Sequence, residues 1–225
     1  MNSSELYDTF RSDVSDVAKP YLWSDDEVFR YMDAAYKMFV RLTGGITDFL
    51  SDATLIDMVA GEKVADSHPS ILRILHASRV SDGNPLRIVN TTDLNSIMQS
   101  DYGNVRSLLN DTTVGAVHSM IIGRQKDKVE WASIPVEDDQ AQLSVFRLPL
   151  EDICGFDHDM AEVDEMHHIY LLDWMKHLAY KKHDAETYDV NKSTHCGDEF
   201  RAYCLQAKGE LERQRYKVGV VQYGG

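Results

Sequence analysis

Cysteine is scarce in this sequence, and its scarcity excludes a disulfide-based fold. The 225-residue chain has three cysteines, Cys154, Cys196 and Cys204. Three are too few for the disulfide framework of small secreted domains, and an odd number cannot all be paired. Their spacing relative to nearby histidines also matches no zinc knuckle or ribbon. We therefore expect reduced cysteines that serve as packing residues.

Long apolar runs and an excess of basic residues are also missing. No apolar stretch approaches the roughly 20 residues that a membrane helix needs, and the opening Met-Asn-Ser-Ser-Glu lacks the basic and apolar segments of a secretion signal. These features predict a cytoplasmic protein without a membrane partner. The chain has 23 Lys and Arg against 37 Asp and Glu, a formal net charge of -14 at pH 7. That charge repels phosphate backbones and disfavours a free-standing nucleic-acid binder.

Helical periodicity is clearest near the start of the chain. Ser24 followed three residues later by Glu27 predicts a capping box at a helix N-terminus. Apolar residues at helical spacing over 28–42 predict the helix itself, and the Gly44-Gly45 pair predicts its end. A weaker helix is expected over roughly residues 3–18, before Pro20.

Helical spacing returns in the last third of the sequence. Apolar side chains over 163–182 point in almost every direction around the helix axis, which predicts a helix buried on several sides. A final helix is predicted over 194–215, with its apolar stripe facing the core and its other face charged.

The middle of the chain has a different period. Short runs rich in β-branched residues, separated by turn-forming residues, predict strands whose neighbours pair antiparallel. A short helix capped by Thr91 or Thr92 is expected to interrupt them. The predicted strands are 54–59, 71–80, 86–89, 117–122, 129–134 and 142–148.

These patterns together predict an α+β fold. Residues 1–50 and 151–213 are expected to form a helical bundle core, and residues 51–150 an inserted antiparallel β-rich domain. Residues 214–225 are expected to form an extended C-terminal tail, because valines alternate with glycines there. Such a tail has nothing in its own segment to bury against and is suited to docking on a partner.

Motifs that would indicate catalysis are weak. Glu165 and His168 form one E-x-x-H spacing, which occurs in di-iron helical bundles, but such a site needs the motif twice. A metal-dependent bundle enzyme using these residues is therefore the minor alternative, and the other interpretation is that His167 and His168 cap a helix or line a subunit contact. The acidic pairs Asp25-Asp26 and Asp138-Asp139 are interpreted as solvated turn charges.

Nucleophile and nucleotide motifs are missing from the sequence. It contains no G-x-S-x-G elbow, no phosphate-binding loop and no dinucleotide fingerprint. We therefore predict a protein that is not an enzyme, has no cofactor, and works by assembly.

Two segments of the sequence resemble those of a known protein family. The run Pro20-Tyr21-Leu22-Trp23-Ser24-Asp25-Asp26-Glu27, continuing into Arg30-Tyr31-Met32-Asp33-Ala34-Ala35, resembles the N-terminal signature of tailed-phage head-to-tail adaptor proteins. The runs Leu171-Leu172-Asp173-Trp174, Ala179-Tyr180 and Asp184-Ala185-Glu186-Thr187-Tyr188 are similar to the C-terminal helical signature of that group. Pro69-Ser70-Ile71-Leu72-Arg73-Ile74-Leu75 and the Asp82-Gly83 turn also fit its pattern, in the same order along the chain.

The resemblance implies a virion structural protein of a short-tailed phage. It implies a homo-oligomeric ring of about twelve copies, docked on the portal protein and joined below to a tail nozzle, tail tube or tail fibre protein. Genomic DNA would pass through the channel without being retained. A different tail-completion or nozzle component is the alternative within the same class.

Two groups of residues are expected to make the contacts. In the resembled family the C-terminal extension embraces the portal, and a helical core makes the ring. The expected portal-docking residues are Tyr216, Val218, Val220, Val221 and Tyr223, and the expected ring-contact residues are Met166, Tyr170, Trp174 and Leu178.

Overall fold

The computed structural model describes residues 1–90, 113–184 and 186–215, which fold into two compact units. The first unit consists of the described residues of Met1–Ile46 and Leu148–Gly225, and the second is Thr47–Arg147 with the same gap. The predicted short helix after Thr91 and residues 216–225 of the expected docking tail lie outside the described residues. The prediction that the extended tail begins at residue 214 is wrong, because Gln214 and Arg215 are the last residues of an α-helix. No described helix is long and apolar enough to cross a membrane.

The first unit is helical. Its four described α-helices enclose one apolar core, which contains Phe10, Trp23, Met32, Phe39 and Phe200. The helices are α1 (Ser3–Asp13), α2 (Asp25–Thr43), α3 (Leu171–Lys181) and α4 (Val190–Arg215).

Helix α2 confirms its sequence signals. The Ser24 side chain accepts a hydrogen bond from the Glu27 N–H, and the Glu27 side chain binds the Ser24 N–H in return, which completes the predicted capping box. The helix ends at Gly44, which has φ of 97°. This left-handed conformation is open to glycine and strained for other residues.

Helix α1 is shorter than predicted, and a buried arginine explains why. The helix stops at Asp13 instead of continuing to residue 18, and Ser15 takes a left-handed φ of 59°. The chain then folds back, so that the Asp16 N–H donates to the Arg11 carbonyl at 2.9 Å. The Asp16 carboxylate, 2% exposed, pairs with the Arg11 guanidinium. A polar contact formed by folding back therefore replaces the last turn of helix.

The predicted continuous helix over 163–182 is wrong. Glu165–Tyr170 is a 3-10 helix, and only Leu171–Lys181 is α-helical. The Val163 carbonyl, which an α-helix would offer to the N–H of residue 167, lies 2.9 Å from Nε2 of His168 instead. The His167 N–H donates to Asp164 O at 2.9 Å, in the tighter 3-10 pattern.

The second unit contains two four-stranded sheets. In the first sheet the long strand β8 (Asp139–Arg147) pairs with all three others, and its pairs with β2 and β4 are antiparallel. The other strands of this sheet are β1 (Ile46–Asp48), β2 (Leu55–Met58) and β4 (Ile71–Arg79). The second sheet has the order β3 (Val64–Asp66), β7 (Lys128–Trp131), β6 (Ser119–Ile122) and β5 (Arg87–Asn90).

Antiparallel pairing of neighbours was predicted throughout, and one pair contradicts it. β5 and β6 run parallel, with Arg87 opposite Ser119. An isolated antiparallel bridge joins Ser78 of β4 to Pro85, just before β5, and β5 then joins the other sheet. The α+β class is nevertheless confirmed by the helices and sheets of the two units.

Candidate interaction surface

The 3-10 helix in the first unit presents three apolar side chains to solvent. Met166 is 67% exposed, Ile169 45% and Tyr170 39%. We call these three residues the 166–170 patch. Isolated exposed apolar residues are common on protein surfaces, but three of them within one six-residue helix concentrate apolar area in one place, as protein contacts do.

Buried aromatic rings hold this patch in place. The Tyr170 ring stacks on Tyr203 of α4 with 3.4 Å between ring centroids. The imidazole of His167 lies between α2 and α4, 5.0 Å from the Phe39 ring, and its Nδ1 is 2.8 Å from the Tyr203 hydroxyl. These contacts fix the 3-10 helix, and a surface fixed in this way loses little conformational entropy in a contact.

Burial changes the titration of the two polar rings beneath the patch. It lowers the pKa of His167, with the carboxylates of Asp164 and Glu210 opposing this effect. It also raises the pKa of Tyr203 to about 12. His167 is therefore neutral and Tyr203 protonated at pH 7, which suits their hydrogen bond.

The E-x-x-H pair does not converge on a shared ligand. His168 is buried, with Nδ1 2.9 Å from Met1 O and Nε2 2.9 Å from Val163 O. Glu165 is exposed and binds the amino group of Met1 at 2.7 Å. The expectation that His167 and His168 line a subunit contact is wrong, because both imidazoles lie inside their own unit. Among the residues that the structure describes, no group of three or more His, Cys, Asp or Glu could hold a metal ion.

The other expected ring-contact residues lie deeper. Trp174 is 8% exposed and packs on Phe200 with ring centroids 5.1 Å apart, so it is a core residue. Leu178 is half-buried against the same core. Ile169 is exposed beside the predicted residues and was missed. The structure thus places Met166 and Tyr170 at the surface. The many apolar residues of this segment divide into those that pack in the core, such as Trp174, and those of the 166–170 patch.

The first resembling segment is organised by Arg11. Its guanidinium donates to Trp23 O at 2.7 Å and to Asp25 Oδ1 at 2.8 Å, besides its pair with Asp16. It also lies over the Tyr21 ring, 4.1 Å from the centroid. The interpretation of Asp25 as a merely solvated charge is wrong, since hydrogen bonds from the Tyr7 hydroxyl and the Arg11 guanidinium hold the pKa of its carboxyl below the usual range.

The second resembling segment also belongs to the packing of this unit. The Trp23 indole donates to the Ala179 carbonyl at 3.3 Å, which links the two segments directly. The Asp189 N–H donates to Tyr180 O at 3.0 Å, and Thr187 is buried. The resembling residues therefore stabilise one helical unit, whatever surface binds a partner.

The cysteines differ in their surroundings. Cys204 is buried on the core stripe of α4, as predicted, and burial raises the pKa of its thiol to about 12. Cys154 is exposed and Cys196 half-buried. The packing interpretation is therefore wrong for Cys154, because loop residues on either side of it cover too little of the side chain.

Comparison with known proteins does not assign the chain to a family. No protein-family model matches the chain, and no curated protein is significantly similar to it. The resemblance to phage adaptors therefore stays a prediction from the sequence.

Proposed function

We propose that this protein is a structural component of a tailed-phage virion, a head-to-tail adaptor that forms a ring of about twelve copies between portal and tail. The observation that carries the proposal is the 166–170 patch, an apolar surface that directly precedes the second resembling segment and is fixed by stacking and a hydrogen bond. In a ring, each copy covers its neighbour's patch through a heterologous contact that closes by rotation.

The remaining parts of the proposal rest on the sequence. The portal-docking residues Tyr216, Val218, Val220, Val221 and Tyr223 would bind the portal as an extended segment. A tail nozzle, tail tube or tail fibre protein would bind the opposite side. The net charge of -14 disfavours retention of DNA in transit, and we expect no retardation of DNA by the free chain at low salt. Retardation there would contradict this part of the proposal.

Mixing the full chain with purified portal rings tests the function. Cryo-electron microscopy of the mixture is expected to show a ring of the chain on one face of the portal. The double variant Met166→Ser, Ile169→Ser is expected to fold, because both side chains are largely exposed, and to lose ring formation. Leu205→Ser is the matched control, since Leu205 is 72% exposed on α4 and has no part in the patch.

The outcomes separate the alternatives within the class. A chain that ignores portal rings but binds a tail protein would be a tail-completion or nozzle component. Equal ring formation by the double variant and by Leu205→Ser would remove the patch from the proposed contact.

A further inference from the structure

The second unit has an uncharged groove on its first sheet. The groove has a volume of about 540 Å³ and opens where β4 and β5 part. Apolar side chains line it, notably Leu75 of β4, Leu86 just before β5 and Ile88 of β5. None of its lining residues is Asp, Glu, Lys or Arg, although 27% of the chain is charged.

The register of the sheet explains the groove's polar rim. His76 faces Ser144, and Ser78 faces Gln142, on the side of the sheet opposite to the buried Leu143 and its neighbours. The rim thus offers hydroxyl, amide and imidazole groups to a bound segment, while the walls offer apolar contact. This combination suits an uncharged polypeptide.

One wall of the groove is a phenylalanine on a braced loop. Phe49 is 58% exposed, and its carbonyl accepts a hydrogen bond from Gln142 Nε2 at 2.9 Å. The loop is fixed by Asp48, whose carboxylate accepts the Leu50 N–H at 3.0 Å and pairs with the buried Arg147. Holding a large apolar side chain in solvent on a rigid loop favours its burial by a partner.

The chain itself contains a segment with matching chemistry. Residues 216–225, outside the described part, include no charged side chain after Lys217. If this segment binds in extended form, Val218 and Val220 fall on the same side, with glycine between them. Few other stretches of this acidic sequence could enter the groove without burying an unpaired charge.

We infer that the groove between β4 and β5 binds residues 216–225 of a second copy of this chain. Val218 and Val220 fill the apolar part beside Phe49 and Ile88, and main-chain groups of the segment meet the polar rim. This contact is independent of the 166–170 patch. If the same segment docks on the portal, as proposed above, portal and groove compete for it.

Sedimentation velocity of the full chain tests the tail's part. The wild type is expected to show concentration-dependent association that Val218→Asp, Val220→Asp weakens, because this variant loses the tail contact and keeps the 166–170 patch. Lys217→Asp is the matched control, because it changes the net charge by the same amount and alters the opposite side of the extended segment. A wild type that stays monomeric, or equal loss of association by both variants, would overturn the inference.

Titration with a synthetic peptide of residues 216–225 tests the groove. The receptor is the full-length Val218→Asp, Val220→Asp chain, whose own tail cannot compete. Phe49→Ser in this receptor is expected to weaken peptide binding roughly tenfold or more, because it removes a large apolar contact. Leu50→Ser is the control, since Leu50 is 81% exposed and does not line the groove.

Equal peptide affinity of the Phe49→Ser and Leu50→Ser receptors, or no peptide binding at all, would refute the groove assignment. Portal binding by full-length Phe49→Ser, with its tail intact, separates this inference from the proposed function. Retained portal binding with lost peptide binding supports both ideas, and lost portal binding would show that the groove is not a separate site.

Discussion

The close contact between α3 and α4 depends on Gly197 of α4. Gly209 lies in the same helix without such a contact and provides the control. An ideal Cβ built on Gly197 would lie 2.8 Å from His177 Nδ1, whereas one built on Gly209 meets nothing within 4 Å. The His177 ring cannot simply move aside. Its Nδ1 lies 2.8 Å from Ser193 O, and the Ser193 hydroxyl donates to His177 O at 2.9 Å.

The expected effects of the two alanine substitutions have opposite signs. Alanine gains about 1 kcal/mol over glycine in a helix interior, so Gly209→Ala should stabilise the first unit by up to about that amount. Gly197→Ala receives the same gain but adds about 1–3 kcal/mol of overpacking and about 1 kcal/mol for the displaced hydrogen bond. We therefore expect a net destabilisation of about 1–3 kcal/mol for Gly197→Ala.

Urea unfolding followed by circular dichroism at 222 nm measures both variants, because all four described α-helices lie in the first unit. The midpoint should fall for Gly197→Ala and rise for Gly209→Ala, with the slope unchanged. If Gly197→Ala were as stable as Gly209→Ala, the inferred close approach of α4 to His177 would be refuted.

Three further predictions concern buried polar groups. Asp48→Asn should cost about 3–5 kcal/mol, because it removes the carboxylate charge that pairs with the buried Arg147 guanidinium. The control Asp66→Asn, at an exposed ion pair, should cost less than about 1 kcal/mol when unfolding is followed by tryptophan fluorescence. Because the pKa of Asp48 is lowered in the fold, the Asp48 carboxylate stabilises the fold above about pH 4 and loses this effect in more acidic solution. The difference in unfolding free energy between wild type and Asp48→Asn should therefore shrink on acidification, and a constant difference would contradict this. Because the pKa of His167 is lowered in the fold, protonation of this imidazole favours the unfolded chain. The free energy of unfolding should therefore fall as the pH drops below about 6.5, and His167→Phe should remove this fall. Arg11→Ala should cost about 3–5 kcal/mol, and a loss under about 1 kcal/mol, as for a surface pair, would show that its pair with Asp16 is not a buried one.

Sequence signals within a short stretch of chain predicted the helices whose ends and faces depend on that same stretch. The capping box, helical spacing and terminal glycine gave α2 almost to the residue, and the core stripe of α4 was also predicted, although the helix begins at Val190. The three-residue strands β1 and β3 were missed, because segments so short carry no measurable alternation. The parallel pairing of β5 with β6 depends on a long connection and left no local trace.

Contacts between distant residues account for the errors in the candidate site. The 3-10 geometry of Glu165–Tyr170 depends on His168 binding both Val163 O and the carbonyl of Met1, far away in sequence. Periodicity alone could not reveal that such a contact ends the α-helical pattern. The same limit hid the role of Asp25, whose partners Tyr7 and Arg11 lie on another helix.

The two resembling segments stabilise the first unit, whereas the 166–170 patch is exposed to solvent. Trp23, Asp25 and Ala179 act within the first unit, where they link α1, α2 and α3. Packing and buried ion pairs constrain residue type strongly at such positions. Met166 and Ile169 are exposed and lie outside that constraint. Within the first unit's described residues, loss of the proposed ring assembly without loss of folding is therefore expected from substitutions in the patch, whereas Arg11→Ala should impair both together.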